Sequence, residues 1–348
     1  MAVDVERMFS RFRGPGFWQD FRELFSPRVL ECLQVEVTSC CMGRCTYCPH
    51  TTRAEVWKSR HMAPETFAAL WPALCRATRV HLQGWGEPFL NPHFMDFVSL
   101  ARRAGCAVST TTCGLRMNED LAERIVESGM DIVAFSLTGT DEKSNAARAG
   151  VPFSRVEEAV RMLQKVRRAK QAVHLEVHLA YLMLASNVDA VRELPRLMDE
   201  WGVHAVVIST MDYIPSPEMA AEAFAPHERE KIEAARAVLE ETGARVRAAG
   251  HDFYASLPAA EPAPCCRERA HRTMYIDADG QISPCVYLNV PIREEVSGRT
   301  IFGNVSGEDP MTIWEGKAYA GFRAAVQTAE PPDACRFCAK RFEAPCAG

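Results

Sequence analysis

Cys41, Cys45 and Cys48 stand as C-x3-C-x2-C in Ser39-Cys40-Cys41-Met42-Gly43-Arg44-Cys45-Thr46-Tyr47-Cys48-Pro49-His50. Three thiolates on one short loop can hold three irons of a [4Fe–4S] cluster and leave the fourth iron without a protein ligand, open to a chelating substrate. The same loop allows other readings. Cys40, Cys45 and Cys48 also stand as C-x4-C-x2-C, the plant-ferredoxin spacing, with Cys75 downstream as a fourth ligand. A zinc site needs four ligands, and His50 or a distant C-x2-C could supply the missing one.

A second group begins Cys265-Cys266, continues to Cys285 and closes with Cys335-x2-Cys338 and Cys346. Of 14 cysteines, five lie in 32–48, three in 75–113, none in 114–264 and six in 265–346. Clustered cysteines in a reducing compartment bind metal or do redox chemistry more often than they form disulfides. Two metal sites bracketing a cysteine-free middle is the simplest reading, and a zinc ribbon is the alternative for the second.

The elements that must position these groups alternate between β-like and helix-period runs. Strands are expected at 33–38, 79–83, 106–112, 131–137, 173–183 and 204–210, with helices near 64–76, 92–104, 118–129, 154–169 and 187–201. Six strands separated by helices imply parallel pairing through right-handed crossovers. The fold class is therefore α/β, a partial (β/α)6 barrel lacking strands 7 and 8, with a small C-terminal cysteine-rich domain. The divisions are an amphipathic arm (1–32, with Met8, Phe9, Phe12, Phe17, Trp18, Phe21 and Phe25), the barrel (33–215), a helix and linker (216–262) and a separate small module (263–348).

Strand alternation predicts a polar interior. Val173, Leu175, Val177 and Leu179 form one apolar face of strand 5, so His174, Glu176 and His178 point into the barrel. Strand 1 sends Gln34, Glu36 and Thr38 inward, and strand 2 sends His81 and Gln83. Glu36, His81, Glu176 and His178 are the candidates for substrate contact or proton transfer.

Over about residues 33–211 the sequence resembles the radical S-adenosylmethionine (SAM) superfamily, with Cys41, Cys45 and Cys48 matching its signature and Tyr47 its aromatic residue. Gln83-Gly84-Trp85-Gly86-Glu87-Pro88, after strand 2, is similar to the family's glycine–glycine–glutamate motif for the SAM amino group, with Trp85 replacing the first glycine of the strict form. A glycine lets backbone approach a ligand, and a carboxylate suits an ammonium. The resemblance implies that Tyr47, Gly84, Gly86, Glu87, Thr112, Ser136 and Arg148 contact SAM. Cys113 stands where relatives often carry asparagine, and is read as a buried thiol rather than a hydrogen-atom donor.

The C-terminal cysteines resemble the SPASM or shorter twitch auxiliary-cluster domain. That resemblance implies one auxiliary [4Fe–4S] cluster on Cys266, Cys285, Cys335 and Cys338, with Cys265 and Cys346 as competitors. It also implies reductive cleavage of SAM to a 5′-deoxyadenosyl radical that abstracts hydrogen from a substrate. Family members with this domain often modify peptides or proteins, so a maturase acting on a protein or peptide side chain is expected, with a partner metalloenzyme as one candidate substrate. A dehydrogenase or rearrangement enzyme for a polar small molecule is the alternative. A leader-guided peptide is less expected than a folded or short one, and the electron donor is expected to resemble a flavodoxin or ferredoxin.

Bulk properties agree. Across 348 residues the net charge of -5 gives no reason to expect nucleic acid. No apolar run approaches the ~18 residues of a membrane helix, and the N-terminus lacks a signal-peptide core, so a cytoplasmic enzyme without a membrane partner is expected.

Overall fold

The computed structural model describes residues 23–259, 261–263, 266–293 and 298–342. Most of the expected arm therefore lies outside the described residues, as do Cys265 and Cys346; Phe25 is described and exposed.

Six parallel strands form the centre: β1 (Leu30–Val35), β2 (Ala77–His81), β3 (Ala107–Thr112), β4 (Ile132–Leu137), β5 (Glu176–Leu182) and β6 (Ala205–Ser209). Each neighbours the next in chain order, which is what helical crossovers require. Their helix-facing side chains make the core. Leu33, Val35, Val80, Val108, Val133, Phe135, Val177, Leu179, Val206 and Ile208 are all essentially inaccessible to solvent. Burial of each such side chain stabilises by roughly 1.5–3 kcal/mol.

The sheet continues past six strands. β7 (Asp252–Ala255) pairs in parallel with β6, and β8 (Thr273–Ile276) pairs in parallel with β1 on the other edge. Strands 7 and 8 were expected to be missing. β7 instead lies inside the proline- and alanine-rich stretch read as a linker. The hairpin β8–β9 (Gln281–Ser283), with β10 (Gly303–Asn304), continues the barrel sheet into the C-terminal segment. Among the described residues the sheet runs β10-β9-β8-β1-β2-β3-β4-β5-β6-β7, and β7 and β8 are its parallel edges, unpaired with each other, so the barrel is open.

Helices follow the sequence pattern, with two interruptions. α1 (Pro49–Thr52) is a single turn after the cysteine loop. The run expected at 64–76 is broken into α2 (Pro64–Ala68) and α3 (Trp71–Cys75), with Pro72 in the first turn of the second piece. Proline lacks an N–H and clashes with a preceding helical turn, so a break there is forced. α4 (Phe94–Arg103) buries Phe94, Phe97, Val98 and Ala101, and α5 (Glu119–Glu127) starts where the Asn118 side chain accepts the Leu121 N–H at 2.8 Å. α6 is Phe153–Ala169. Before α7 (Leu194–Trp201) the chain makes a kinked 3-10 run at Ala185–Glu193, and Pro195 again marks the restart. α8 (Arg229–Ala248) leads into β7; α9 (Pro310–Glu315) sets Ile313 against Gly303 of β10, and α10 (Lys317–Ala325) donates the Tyr319 hydroxyl to Ser283 O of β9 at 3.2 Å. Among the described residues no helix is long and apolar enough to cross a membrane.

Strand 5 is shorter than expected. Val173 and His174 precede β5, and Val173 is 85% exposed rather than part of the apolar face.

Candidate active site

The cysteine loop leaves the C-terminal end of β1 and is pinned on two sides by backbone bonds. Arg44 N–H donates to Ala149 O at 2.7 Å and Thr46 N–H to Ala147 O at 2.9 Å, which ties the loop to the turn carrying Arg148. Glu87 N–H donates to Cys40 O at 2.8 Å, which ties it to the loop after β2. A Cβ on Gly86 would stand 2.3 Å from Thr38 O and 2.6 Å from Cys40 O, so only glycine allows this approach.

These contacts gather Cys41, Cys45, Tyr47, Cys48, Gly84, Gly86, Glu87, Thr112, Ser136 and Arg148 around one cavity of about 220 Å³. All three thiols of the C-x3-C-x2-C register line it. Cys40 does not, and Cys75 is packed in the apolar core, so the ferredoxin register has no common site. His50 packs edge-on against Trp57, 5.3 Å between ring centres, and is likewise outside this cavity. Gly43 N–H donates to Cys41 Sγ at 3.4 Å. Burial pushes the Cys41 thiol up to about 11 and the Cys48 thiol to about 12, so thiolates there need a compensating positive charge.

Arg148 is one such charge, and it pulls both thiols down. It is 6% exposed, donates Nη1–H to the Tyr47 hydroxyl at 3.1 Å, and its Nε is buried without a hydrogen-bond partner among the described residues. A buried, unspent guanidinium donor facing three thiols is what an anionic ligand group in this cavity would satisfy.

Glu87 is almost fully buried. Its Oε1 accepts Thr112 Oγ1–H at 2.6 Å and its Oε2 accepts Cys113 N–H at 2.7 Å, which braces the β2 loop against the end of β3. Cys113 lines the same cavity, and burial pushes its thiol well above the usual range.

A second, larger cavity of about 500 Å³ adjoins the first and shares Gln83, Gly84 and Trp85 with it. Inward side chains of β1–β3 line it, among them Cys32, Gln34, Arg79, His81 and Ser109. His81 bonds Ser109 Oγ through Nδ1 at 2.9 Å and Gln83 Oε1 through Nε2 at 3.2 Å, and burial lowers its pKa to about 4, which leaves the ring neutral near pH 7.

The other three candidates for substrate contact stand elsewhere. Glu36 lines neither cavity: it is fully buried beneath the 84–87 loop, because strand alternation aims it inward at a level that Gly84 closes over. Glu176 and His178 pair with each other at 2.7 Å and line neither cavity. Glu176 starts β5 four residues before Ala180, the partner of Ser136, which puts it roughly 13 Å down the strand from the thiol cavity's level.

Cys266, Cys285, Cys335 and Cys338 line a third cavity of about 320 Å³, which shares Glu268 and Tyr287 with the central one. Burial raises all four thiols, Cys335 to about 11 and Cys266 to about 12. Among the described residues no group of three or more His, Cys, Asp or Glu side chains is close enough to hold a single metal ion.

Two residues were missed as parts of the site. Trp85 was noted only as a departure from glycine. Its indole N–H donates to Val286 O at 3.2 Å, and its ring lies 5.5 Å from that of Tyr213 and 6.2 Å from that of Tyr287. Tyr287 donates to Asp212 Oδ2 at 3.3 Å, and Asp212 pairs with Lys340 at 2.7 Å. An aromatic residue two positions after Cys285 was the available signal.

The radical SAM superfamily model matches residues 35–198, and a model described as an iron–sulfur cluster-binding domain matches residues 265–339. The chain is 25% identical over 330 residues to the tungsten-containing aldehyde ferredoxin oxidoreductase cofactor-modifying protein of Pyrococcus furiosus, covering 89% of this chain and 87% of that protein. It is 24% identical over 319 residues to a PqqA peptide cyclase of Gluconobacter oxydans, covering 89% and 82%. Its fold is similar to that of Streptococcus suis SuiB bound to S-adenosylmethionine, with a TM-score of 0.66 at 17% identity over 86% of this chain and 68% of that one.

Proposed function

Since the chain belongs to the radical SAM superfamily and carries an iron–sulfur cluster-binding domain at its C-terminal end, we propose that it is a maturase that modifies a side chain of a peptide or protein. The observation that carries this reading is the adjacency of the three cavities. The thiol cavity shares Gln83, Gly84 and Trp85 with the central one, and the central one shares Glu268 and Tyr287 with the four-cysteine cavity. A substrate held in the middle would thus lie between two iron–sulfur sites.

The residues fit the groups assigned to them. Cys41, Cys45 and Cys48 would hold a [4Fe–4S] cluster with one iron lacking a protein ligand, and Cys266, Cys285, Cys335 and Cys338 a second cluster. When bound, the first cluster supplies the electron that splits the C5′–S bond of SAM, and the cofactors carry the hard chemistry. The chain's own work is placement. Gly84 and Gly86 let backbone approach the ligand, Glu87 offers a carboxylate to its ammonium, and Arg148 offers its unspent Nε–H to its carboxylate. Ser136 and Thr112 face the same space. In the central cavity, neutral His81 with Ser109 and Gln34 gives hydrogen-bonding groups beside the charged side chains of Glu31, Arg79, Arg267, Glu268 and Arg269, a lining that suits a polar substrate. A flavodoxin- or ferredoxin-like protein would deliver the electron.

One relative is named for cyclising a peptide, which supports this substrate class, and another for modifying a cofactor of another enzyme, which supports a maturase role. The test is 5′-deoxyadenosine release by the reconstituted enzyme, given SAM and reductant, with either the macromolecular or the small-molecule fraction of a cell extract. Stimulation by the macromolecular fraction that protease abolishes is expected. Stimulation by the small-molecule fraction alone would favour a metabolite substrate instead.

A further inference from the structure

Glu36 is a carboxylic acid with no exposure to solvent, placed just past the end of β1 and under the loop after β2. Its Oε2 accepts two hydrogen bonds: from Trp85 N–H at 2.9 Å, in the middle of Gly84-Trp85-Gly86-Glu87, and from the Tyr275 hydroxyl of β8 at 3.2 Å. Gly84 lies directly on it, since a Cβ there would stand 2.4 Å from Glu36 Cβ. Its Oε1 is buried with no hydrogen-bond partner among the described residues. An apolar side chain would fill the same volume without leaving a buried oxygen unpaired, so packing alone does not account for an acid here.

We propose that Glu36 is a positioning residue for SAM: it fixes the Trp85 amide, and with it the Gly86-Glu87 segment, while Tyr275 fixes Glu36. The C-terminal segment thereby reaches the SAM loop through one carboxyl group. This rests on the reading of residues 84–87 as a SAM-binding loop. The groups facing Glu36 are Tyr275 and Asp277 from the β8 side, the latter repelling a charge on it, and Arg60, which favours one. Burial outweighs these and raises its pKa to about 8, so the neutral acid prevails at pH 7 and glutamine is its close mimic.

The experiment is equilibrium dialysis of SAM against the reconstituted enzyme at pH 7, with iron content and the KM for SAM in reductive cleavage measured on the same samples. Glu36→Leu removes the acceptor and should weaken SAM binding about tenfold. Glu36→Gln keeps the acceptor and should bind within about twofold of wild type, and Tyr275→Phe, which frees the carboxyl on one side, should weaken binding about threefold. In Glu36→Leu and Tyr275→Phe, KM should rise with kcat unchanged and iron content intact, a split that a merely lowered folded fraction does not produce. If Glu36→Leu fails to fold, Glu36→Gln and Tyr275→Phe decide. Wild-type affinity in both Glu36→Leu and Tyr275→Phe overturns the proposal, as does Tyr275→Phe at wild-type affinity when Glu36→Leu cannot be made, or a loss in Glu36→Gln as large as in Glu36→Leu. Absence of saturable SAM binding by wild type overturns the SAM-loop reading itself.

Discussion

The guanidinium of Arg148 reaches the hydroxyl of Tyr47 at 3.1 Å, and both side chains sit on segments bonded to each other through the backbone of the cysteine loop. The contact spends one donor and leaves Nε in reserve. Arg148→Lys keeps a charge but loses the fork that can serve tyrosine and a ligand carboxylate together. SAM affinity should fall about tenfold in Arg148→Lys and further in Arg148→Ala, measured by dialysis on enzyme of unchanged iron content.

Iron content separates the two cysteine groups. The reconstituted wild type should carry about eight irons per chain, and Cys45→Ala and Cys285→Ala about four each. Only Cys45→Ala should abolish SAM cleavage, because only its cavity holds Glu87 and Arg148. A zinc ribbon at the C-terminal site would instead give about four irons and one zinc in wild type.

Trp85 joins the 84–87 loop to the segment next to Cys285 through its indole N–H. Trp85→Phe keeps a ring beside Tyr213 and Tyr287 and removes that one bond. The expected cost is about 1 kcal/mol, seen as a Tm lower by about 2 °C in anaerobic thermal denaturation. An unchanged Tm would show that the bond adds nothing to stability.

Glu36 makes stability depend on pH. Its pKa rises from the ordinary 4.5 to about 8, by burial first and by Asp277 in part, against the pull of Arg60 and the hydrogen bonds from Trp85 and Tyr275. The native state therefore holds this proton more tightly than the unfolded chain. The stabilisation is complete below about pH 4.5 and is lost as pH rises towards 8 and beyond. Relative to Glu36→Gln, wild type should lose ~1 kcal/mol per pH unit across that window, read by denaturant titration at several pH values. Parallel pH profiles would contradict the shift.

Much of this architecture was legible in the chain, and the exceptions have physical reasons. Strand and helix periods placed the β1–β6 framework, since β3, β4, β5 and β6 each bury one alternate face completely. β7 escaped notice because Asp252–Ala255 has exposed or half-exposed side chains and sits beside prolines. The place of β8 in the sheet was not legible, because TMYI carries no signal that it pairs with a strand more than 230 residues earlier. The cysteine spacings identified which thiols share a cavity. Alternation correctly sent His81 inward, yet it could not say at what depth an inward residue meets a cavity. Hence Glu36 proved to be a buried prop and Glu176 and His178 lay too far down β5.

The most direct test of the account is cleavage of SAM. Anaerobically reconstituted enzyme, given dithionite and SAM, should release 5′-deoxyadenosine and methionine in equal amounts, with brown protein absorbing near the blue edge of the visible range. Cys45→Ala should release none. Colourless wild-type protein, or release that persists in Cys45→Ala, would contradict it.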